Sequence, residues 1–334
     1  MYSEHYGLSE RPFQLTPDPR FWFDSQTHRK AMAYLGYGLA QGEGFIVITG
    51  DIGAGKTTLV AHLLETIDRN RFNTVHIVST QVEGDDMLRL VAQGIGLPTE
   101  GVAKAQILDR IERTLDDQAR AGKNVLIIVD EAQNLPTSAL EELRMLSNYQ
   151  VANRSLVQIF LLGQPEFRDR VREAPELEQL RQRVIATHHL DPMKPDEVEP
   201  YIRHRLGQVG YAGNPEFTPE AFSALFQATG GVPRVINTLM ARVMLHAALE
   251  DLTVISDDTV NAVTEDARAE GMNKRSAPAP AGAAPVFDQG RIAALEAKLE
   301  MQDAALRKVL NLLIGWIEND TARTHSRAAH SDAA

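Results

Sequence analysis

The sequence contains no cysteine, and this absence excludes several kinds of chemistry. A chain without thiols has no disulfide framework, no thiolate zinc site and no cysteine nucleophile. Long apolar runs are also lacking. The best candidate, residues 309–317, is shorter than the about 18 apolar residues that a helical membrane span needs. The first residues have neither the basic nor the apolar region of a signal peptide. We therefore expect a cytoplasmic protein without a membrane span of its own.

Positive charge is in deficit as well. The 34 Lys and Arg residues are outnumbered by 45 Asp and Glu residues, which gives a net charge of −11. This balance disfavours a protein whose whole surface binds nucleic acid, although it leaves room for a local basic groove. A chain of 334 residues with 43% hydrophobic content predicts a soluble protein with two domains and an appendage.

A glycine-rich segment lies between a predicted strand and a predicted helix. The apolar run 45–49 leads into GDIGAGKT at 50–57, which has the spacing G-x-x-x-x-G-K-[ST] of a phosphate-binding loop. The alternative, a glycine-rich turn that happens to carry a lysine, is disfavoured by the flanking strand and helix. The residues predicted to bind a nucleoside triphosphate here are Gly50, Asp51, Ile52, Gly53, Ala54, Gly55, Lys56, Thr57 and Thr58.

Each residue type in this loop has a physical role. Gly50, Gly53 and Gly55 can adopt the positive φ angles that turn successive backbone N–H groups toward an anion. We expect Lys56 to reach the β- and γ-phosphates and the Thr57 hydroxyl to ligate Mg²⁺. Thr58 is expected to contact the α-phosphate.

Two adjacent carboxylates, Asp130 and Glu131, follow the continuous apolar run 125–129. Such a run is typical of a strand buried on both faces of a parallel sheet. Asp130 is predicted to hold Mg²⁺ and Glu131 to orient and polarise the attacking water. Taken alone, an acidic turn after a core strand would explain the pair, but its combination with the phosphate loop favours the catalytic interpretation.

A polar residue, Gln164, follows the apolar run 156–162. In sheets of this kind the fourth strand lies beside the strand of the phosphate loop, so Gln164 is placed to touch the γ-phosphate or the water. A simple loop residue is the alternative, and both stay open. The other predicted strands are 74–78 and 184–189. The predicted helices of this α/β part are 25–39, 56–67, 85–94, 104–121 and 138–147.

From residue 190 the pattern is helical throughout. The segments 195–208, 218–229, 233–249 and 256–267 predict a separate all-helical domain. Arg234 is predicted to lie in the first turn of a helix, where the dipole disfavours a cation. Such a placement indicates an anionic partner, and a phosphate is the obvious one.

The two ends of the chain are of different kinds. Residues 11–23 are rich in proline and aromatic residues; they are not expected to be helical, and they either cover the core or lie beside the nucleotide base. Residues 276–285 form a Pro/Ala linker. Heptad spacing then predicts a coiled coil, or a helix that docks on a partner or on the body.

The predicted boundaries are 1–43, an N-terminal segment with the first core helix; 44–190, the nucleotide core; 191–270, the helical lid; 271–290, the linker; 291–319, the coiled coil; and 320–334, a disordered tail.

These motifs together resemble the AAA+ ATPases, and more closely the ExeA-type general secretion ATPases, especially the subgroup associated with exosortase (PEP-CTERM) and exopolysaccharide loci. The resemblance covers residues 1 to about 270. The segments that carry it are FQLTPDPRF at 13–21, GFIVITGDIGAGKTT at 44–58, VDEAQNL at 129–135, LEELR at 140–144, LGQPE at 162–166, LRQR at 180–183 and GVPR at 231–234.

The resemblance implies a five-stranded parallel sheet with helices on both faces, with ATP and Mg²⁺ bound between the core and a helical lid. It implies that Arg181 or Arg183 acts on the γ-phosphate of a neighbouring subunit, and hence a homo-oligomer. It implies that Arg234 contacts the nucleotide of its own subunit.

The chain departs from classical ExeA proteins because it shows neither a transmembrane segment nor a peptidoglycan-binding domain. We therefore expect it to dock on a protein of an envelope or exopolysaccharide system through 291–319, at the inner face of the inner membrane. Two other functions stay open: an ATP-dependent DNA-binding regulator of the transposition type, and a nucleotide-dependent scaffold.

Overall fold

A five-stranded parallel sheet organises the computed structural model, which describes residues 2–78, 82–151 and 154–269. In chain order the strands are β1 (Phe45–Gly50), β2 (Phe72–Val78), β3 (Asn124–Asp130), β4 (Gln150–Val151), β5 (Arg154–Ser155), β6 (Val157–Gly163), β7 (Val184–Leu190), β8 (Glu216–Phe217) and β9 (Val254–Ile255). The sheet has the order β2-β3-β6-β1-β7 with every pairing parallel. The five-stranded parallel sheet predicted from the sequence is therefore confirmed.

The helices are α1 (Tyr2–His5), α2 (Gln26–Gln41), α3 (Lys56–Thr66), α4 (Gly84–Gly94), α5 (Lys104–Arg120), α6 (Thr137–Leu146), α7 (Pro165–Glu173), α8 (Glu178–Arg181), α9 (Pro195–Gly207), α10 (Pro219–Thr229), α11 (Pro233–Leu249) and α12 (Asp257–Ala269). Single 3₁₀ turns cover Pro19–Phe21, Ala132–Asn134 and Pro175–Leu177. The predicted bounds differ from these by one or two residues at most ends. Ser25 and Thr218 are the N-caps of α2 and α10, and the side chain of each accepts a hydrogen bond from a backbone N–H in the first turn of its helix.

The central strands are buried on both faces, which explains their continuous apolar sequences. In β1, Phe45 and Val47 belong to a cluster packed by α4, α5 and α6, whereas Ile46 and Ile48 belong to a second cluster with residues of α2 and α3. Helices thus cover both faces of the sheet. An alternating sequence in these strands would have left one face polar.

The register of the strands brings three loops to one edge of the sheet. Thr49 of β1 lies opposite Gly163 of β6, and Val129 of β3 lies opposite Leu161 of β6. Because the strands are parallel, the phosphate loop, the Asp130–Glu131 pair and Gln164 all follow carboxyl ends at this edge. Ligand sites of open parallel sheets lie at such edges.

Beyond β7 the chain forms helices α9 to α12, which we call the lid. The prediction of an all-helical segment needs one amendment, since β8 and β9 form a short parallel pair, with Glu216 opposite Val254. The lid is tied to the core at several points. The backbone N–H of Gln26 at the start of α2 donates to Glu197 of α9 at 2.7 Å.

The hydrophobic contacts divide the segment 1–43 between two clusters. Phe13 and Phe21, each 3% exposed, are buried with lid residues, whereas Leu35 of α2 packs on the sheet. Arg205 of α9 holds this N-terminal segment to the lid. Its Nε donates to the carbonyl of Pro12 at 2.6 Å, and its guanidinium lies 4.5 Å from the centre of the Phe21 ring.

The predicted linker 271–290, coiled coil 291–319 and tail 320–334 lie outside the described residues. Within the described part of the chain, no helix is both long and apolar enough to cross a membrane.

Candidate nucleotide-binding site

The phosphate loop has the backbone geometry of an anion nest. Gly53 and Gly55 have φ angles of +87° and +100°, which residues with a side chain rarely adopt. The prediction that Gly50 also uses a positive φ is wrong. A Cβ at Gly50 would lie 2.9 Å from the Cβ of Leu190, so glycine is needed there for the close approach of β7. The loop ends at the N-terminus of α3, whose dipole favours an anion.

Lys56, the first residue of α3, is buried with 6% exposure. Its ammonium donates to the carbonyl of Gly50 at 2.7 Å and to that of Asp51 at 3.1 Å. Burial lowers the pKa of Lys56, while the charges of Glu131 and Asp130 act in the opposite direction. The ammonium is thus held inside the loop by acceptors that a phosphate could replace.

The fold brings together Thr57 and Asp130, which are 73 residues apart in the sequence. The Thr57 hydroxyl donates to Asp130 Oδ2 at 3.0 Å, and the backbone N–H of Glu131 donates to Asp130 Oδ1 at 2.9 Å. Asp130 is 2% exposed, so these two bonds compensate for the burial of its charge. A hydroxyl and a carboxylate oxygen side by side next to a phosphate nest are ligands of the kind that Mg²⁺ prefers, since it binds one or two protein oxygens together with substrate phosphates. The residues fit this ion.

Glu131 adopts a left-handed backbone conformation with φ of +55°, which is uncommon outside glycine and asparagine. Its side chain lines the cavity described below. Gln133 Nε2 donates to Glu131 Oε2 at 2.5 Å. The carboxylate therefore faces the same space as Lys56 while one of its oxygens is held by a neighbouring amide.

Gln164 lies at the tip of β6, where it precedes α7. Its backbone N–H donates to Gln133 Oε1 at 3.0 Å. The side chain of Gln164 is not among the groups that line the cavity. Gln164 thus lies at the predicted edge of the sheet, and its backbone is connected to Glu131 through Gln133. Its contact with the γ-phosphate or the water stays a prediction.

A cavity of about 380 Å³ lies over the phosphate loop. Its lining combines loop and strand-end residues with residues of the N-terminal segment and the lid. The lining residues are Leu15, Pro17, Phe21, Trp22, Phe23, His28, Ile52, Gly53, Gly55, Lys56, Thr57, Thr58, Glu131, Met193, Tyr201, Arg205, Pro233, Arg234 and Asn237. A lining that combines charged residues with apolar and aromatic side chains matches the phosphates and the base of a nucleotide.

Aromatic side chains of the N-terminal segment are part of the cavity lining. Trp22 stacks on His62 of α3 with ring centres 4.1 Å apart and contacts His28 edge-on. His28 is buried against the loop, because a Cβ at Gly55 would lie 2.6 Å from its Nε2. Burial lowers the pKa of His28 to about 4, opposed by the Glu197 carboxylate and the Gly55 backbone. His28 is therefore neutral at neutral pH.

The lid reaches the phosphate loop through Arg234. Its backbone N–H donates to the carbonyl of Gly53 at 3.2 Å, and a Cβ at Gly53 would lie 2.5 Å from the Cβ of Arg234. Arg234 is exposed and lines the cavity. No described residue pairs with its guanidinium, so the charge is available to an anion.

A relay of polar side chains from the lid also lines the cavity. Arg205 donates to the Tyr201 hydroxyl at 3.1 Å, and that hydroxyl donates to Asn237 Oδ1 at 2.8 Å. Since the amide oxygen of Asn237 can only accept, the Tyr201 hydroxyl is the donor of the second bond. The Asn237 amide is thus oriented with its oxygen occupied.

Arg181 and Arg183 do not line the cavity of their own chain. Arg181 donates to the carbonyls of Val171 and Arg172 and pairs with Glu178. Arg183 donates to the Ser147 carbonyl at 3.2 Å. Both arginines thus have hydrogen-bond partners within the chain.

Sequence reasoning gave no role to Gln133, His28, Arg205 or Asn237, and it named Trp22 only as part of the segment 11–23 that covers the core or lies beside the base. Gln133 had a usable signal, as it stands two residues after the predicted catalytic glutamate. The others act through contacts between segments far apart in the chain, which no local motif encodes.

Comparison with known proteins agrees with this geometry. Residues 39–171 match the AAA domain family. The chain is 38% identical over 248 residues to general secretion pathway protein A of Aeromonas hydrophila, a match that covers 74% of this chain and 45% of that protein. The chain thus spans less than half the length of this relative.

Solved structures show the same fold. The Aeropyrum pernix ORC2 protein with ADPNP and ADP superimposes with a TM-score of 0.58 at 16% identity, covering 78% of this chain and 72% of that one. The Drosophila ORC bound to DNA gives a TM-score of 0.54 at 16% identity, covering 82% and 68%.

The predicted resemblance is confirmed at the level of the AAA+ and ExeA-type proteins, and the exosortase-associated subgroup stays a prediction. With its phosphate loop, strand order and lid, the chain carries an AAA domain over residues 39–171 and is related over 74% of its length to general secretion pathway protein A.

Proposed function

We propose that this protein binds ATP with Mg²⁺ in the cavity between the phosphate loop and the lid and hydrolyses it to ADP and phosphate. The observation that carries the proposal is the hydrogen bond between Thr57 and Asp130 with Glu131 immediately beside it. A phosphate nest, a pair of Mg²⁺ ligands and a carboxylate facing the same cavity are the parts that phosphoryl transfer to water requires.

Each of these residues has a distinct task in the proposed reaction. The backbone amides from Gly50 to Gly55 and the ammonium of Lys56 bind the phosphates. Thr57 and Asp130 would hold Mg²⁺, which when bound neutralises charge on the phosphate oxygens. Glu131 accepts a hydrogen bond from the water and orients it toward the γ-phosphate. Thr58 completes the nest at the α-phosphate.

Groups outside the loop complete the site. Arg234, unpaired among the described residues, contacts the phosphates from the lid of the same subunit. The aromatic side chains of the lining, among them Trp22 and Phe23, hold the base. We assign Gln164 to the γ-phosphate side of the site on the basis of its position at the tip of β6.

Hydrolysis depends on assembly in this proposal. Arg181 or Arg183 is supplied to the γ-phosphate of a neighbouring subunit, since neither lines its own cavity and charge stabilisation is the largest part of phosphoryl-transfer catalysis. The proposed working form is a homo-oligomer.

We place this activity in an envelope-associated secretion, protein-sorting or exopolysaccharide export system. The support is the relationship to general secretion pathway protein A and the sequence segments that resemble the exosortase-associated subgroup. The proposed location is the cytoplasm or the inner face of the inner membrane, with a protein partner bound through 291–319.

The test is phosphate release from ATP by the purified full-length chain over a range of protein concentrations, with and without duplex DNA. Specific activity that rises with protein concentration and ignores DNA is expected. The Lys56→Ala variant should lose ATP binding and turnover together. Normal ATP affinity in that variant would contradict the assignment of the loop, and strong stimulation by DNA would favour the transposition-type regulator instead.

A further inference from the structure

Gln133 is bonded at both ends of its side-chain amide. Its nitrogen donates to Glu131 Oε2 at 2.5 Å, and its oxygen accepts from the backbone N–H of Gln164 at 3.0 Å. The first partner follows β3 and the second follows β6, the neighbouring strand in the sheet. One side chain therefore joins the predicted catalytic carboxylate to the adjacent strand tip.

The surroundings of Gln133 are shaped for this connection. It lies in the single 3₁₀ turn Ala132–Asn134, directly after the left-handed residue Glu131. A Cβ at Gly163 would lie 3.2 Å from Gln133 Oε1 and 2.9 Å from the Cβ of Phe167. Glycine at 163 thus leaves room for the amide beside α7.

An amide is suited to this place, and its isosteres are not. The carboxylate of Glu131 needs a donor, and the N–H of Gln164 needs an acceptor, and glutamine supplies both. Glutamate in this position could still accept from Gln164 but would repel Glu131. Methionine has a similar length and could serve neither partner.

We propose that Gln133 is the positioning residue of the hydrolytic site. It fixes Glu131 through Oε2 and leaves Oε1 free to accept a hydrogen bond from water at the cavity. By its other end it ties the carboxylate to the tip of β6. Since β6 pairs directly with β1, which leads into the phosphate loop, the carboxylate is held in register with the loop. This inference rests on the proposed function.

A residue that positions Glu131 should affect the rate of hydrolysis and not the affinity for ATP. Gln133 lies outside the cavity lining, so its loss should leave the affinity for ATP unchanged. Misplacing a reacting group by about 1 Å can cost up to about 100-fold in rate. We therefore expect Gln133→Glu and Gln133→Met to lower kcat by about 10- to 100-fold with little change in KM.

The test measures steady-state ATP turnover and ATP affinity of the full-length wild type, of both Gln133 variants and of Asn134→Ala. Asn134 is the matched control, because it lies in the same 3₁₀ turn with an exposed side chain. A loss of kcat at constant KM and constant ATP affinity, with Asn134→Ala equal to the wild type, supports the positioning role. Unchanged kcat in both variants, or an equal loss of kcat and ATP affinity, overturns it.

A double-mutant cycle in thermal unfolding tests the contact without depending on activity. The exchange variant Glu131→Gln/Gln133→Glu reverses donor and acceptor, and should recover stability that Gln133→Glu alone has lost, while hydrolysis stays absent. Additive effects of the two changes would show that the side chains do not interact and would overturn the inference. If the wild type hydrolyses ATP and the Gln133 variants have the same kcat, only the positioning role of Gln133 is contradicted. If the wild type itself does not hydrolyse ATP, the proposed function is contradicted.

Discussion

The hydroxyl of Thr57 donates a hydrogen bond of 3.0 Å to the carboxylate of Asp130. This bond joins the first turn of the helix after the phosphate loop to the end of β3, and it places the two predicted Mg²⁺ ligands side by side. Their proximity follows from the parallel arrangement of β1 and β3 on either side of β6.

Removal of this hydroxyl should raise the Mg²⁺ concentration that ATP turnover requires. Thr57→Val keeps the shape of the side chain but removes a metal ligand and a donor to the buried Asp130. We expect the Mg²⁺ concentration for half-maximal ATP turnover to rise by about 10-fold or more, the equivalent of about 1.4 kcal/mol. Thr57→Ser retains the hydroxyl and serves as the control. Identical Mg²⁺ dependence of the valine variant and the wild type would remove Thr57 from the metal site.

Gly53 offers a test of the contact between loop and lid. Alanine at Gly53 would place a Cβ 2.5 Å from the Cβ of Arg234 and would also strain the backbone, whose φ is +87°. Gly96 has a similar φ of +89°, and a Cβ there would meet no other atom within 4 Å, so Gly96→Ala is a matched control for backbone strain alone. Each change should destabilise the fold by about 1 kcal/mol or more.

Only Gly53→Ala should also weaken ATP binding, since only Gly53 lies at the nest and against the lid. Calorimetric titration with ATP measures the difference. Equal ATP affinities of the two alanine variants would argue against the loop as the phosphate site.

Arg205 should be a stability residue of the lid. It is 7% exposed and donates to Pro12, Tyr201 and Gln14. Arg205→Gln removes a buried cation and leaves its hydrogen-bond acceptors without a donor. We therefore expect a loss of about 3 kcal/mol in the free energy of unfolding.

Arg203 on the same helix provides the comparison. It is about half exposed and pairs with Glu199. Arg203→Gln should cost less than about 1 kcal/mol, as exposed ion pairs generally do. Denaturant titration of both variants checks the contrast, and a similar small cost for Arg205→Gln would mean that the N-terminal segment is not held by this residue.

His28 should make stability depend on pH in a defined direction. Its pKa in the fold is about 4, below the ordinary value of about 6.5. The unfolded chain therefore binds the proton first, and stability falls as the pH drops from about 6.5 to about 4, then levels off. Between about pH 7.5 and about pH 5 the loss attributable to His28 is about 2 kcal/mol.

His28→Gln removes the titrating ring while keeping a polar group near Ser25. The difference in unfolding free energy between wild type and variant should shrink by that amount over the same pH interval. A constant difference would show that His28 is not buried as a neutral ring.

Local patterns were sufficient to predict the phosphate loop, the carboxylates at the end of β3 and the individual strands, whereas the five-stranded parallel sheet was predicted from the family resemblance. The loop is a contiguous motif, and parallel strands bring their carboxyl ends to one edge regardless of the rest of the chain. The nearness of Gln133 to Glu131 in the sequence was a usable signal, but its second contact, with the backbone of Gln164, could not be predicted, because it depends on the φ of Glu131 and on the space left by Gly163. The contact of Arg205 with Pro12 joins residues 193 apart, and sequence spacing does not encode such pairs.

Arg181 and Arg183 show a different limit of prediction from the sequence. A run such as LRQR at 180–183 fits either internal capping or donation to a neighbour. The structure gives Arg181 and Arg183 partners within the chain, and the proposed donation to a neighbouring subunit requires that one of these arginines leave its partners.

The most direct measurement of the central claim compares ATP binding and ATP turnover in the wild type and in Glu131→Gln. Glutamine has the shape of glutamate but cannot accept a proton from water, so the variant should bind ATP with wild-type affinity while turnover falls by about 100-fold or more. Turnover equal to that of the wild type would contradict the account, because no role would then be left for the carboxylate that faces the cavity.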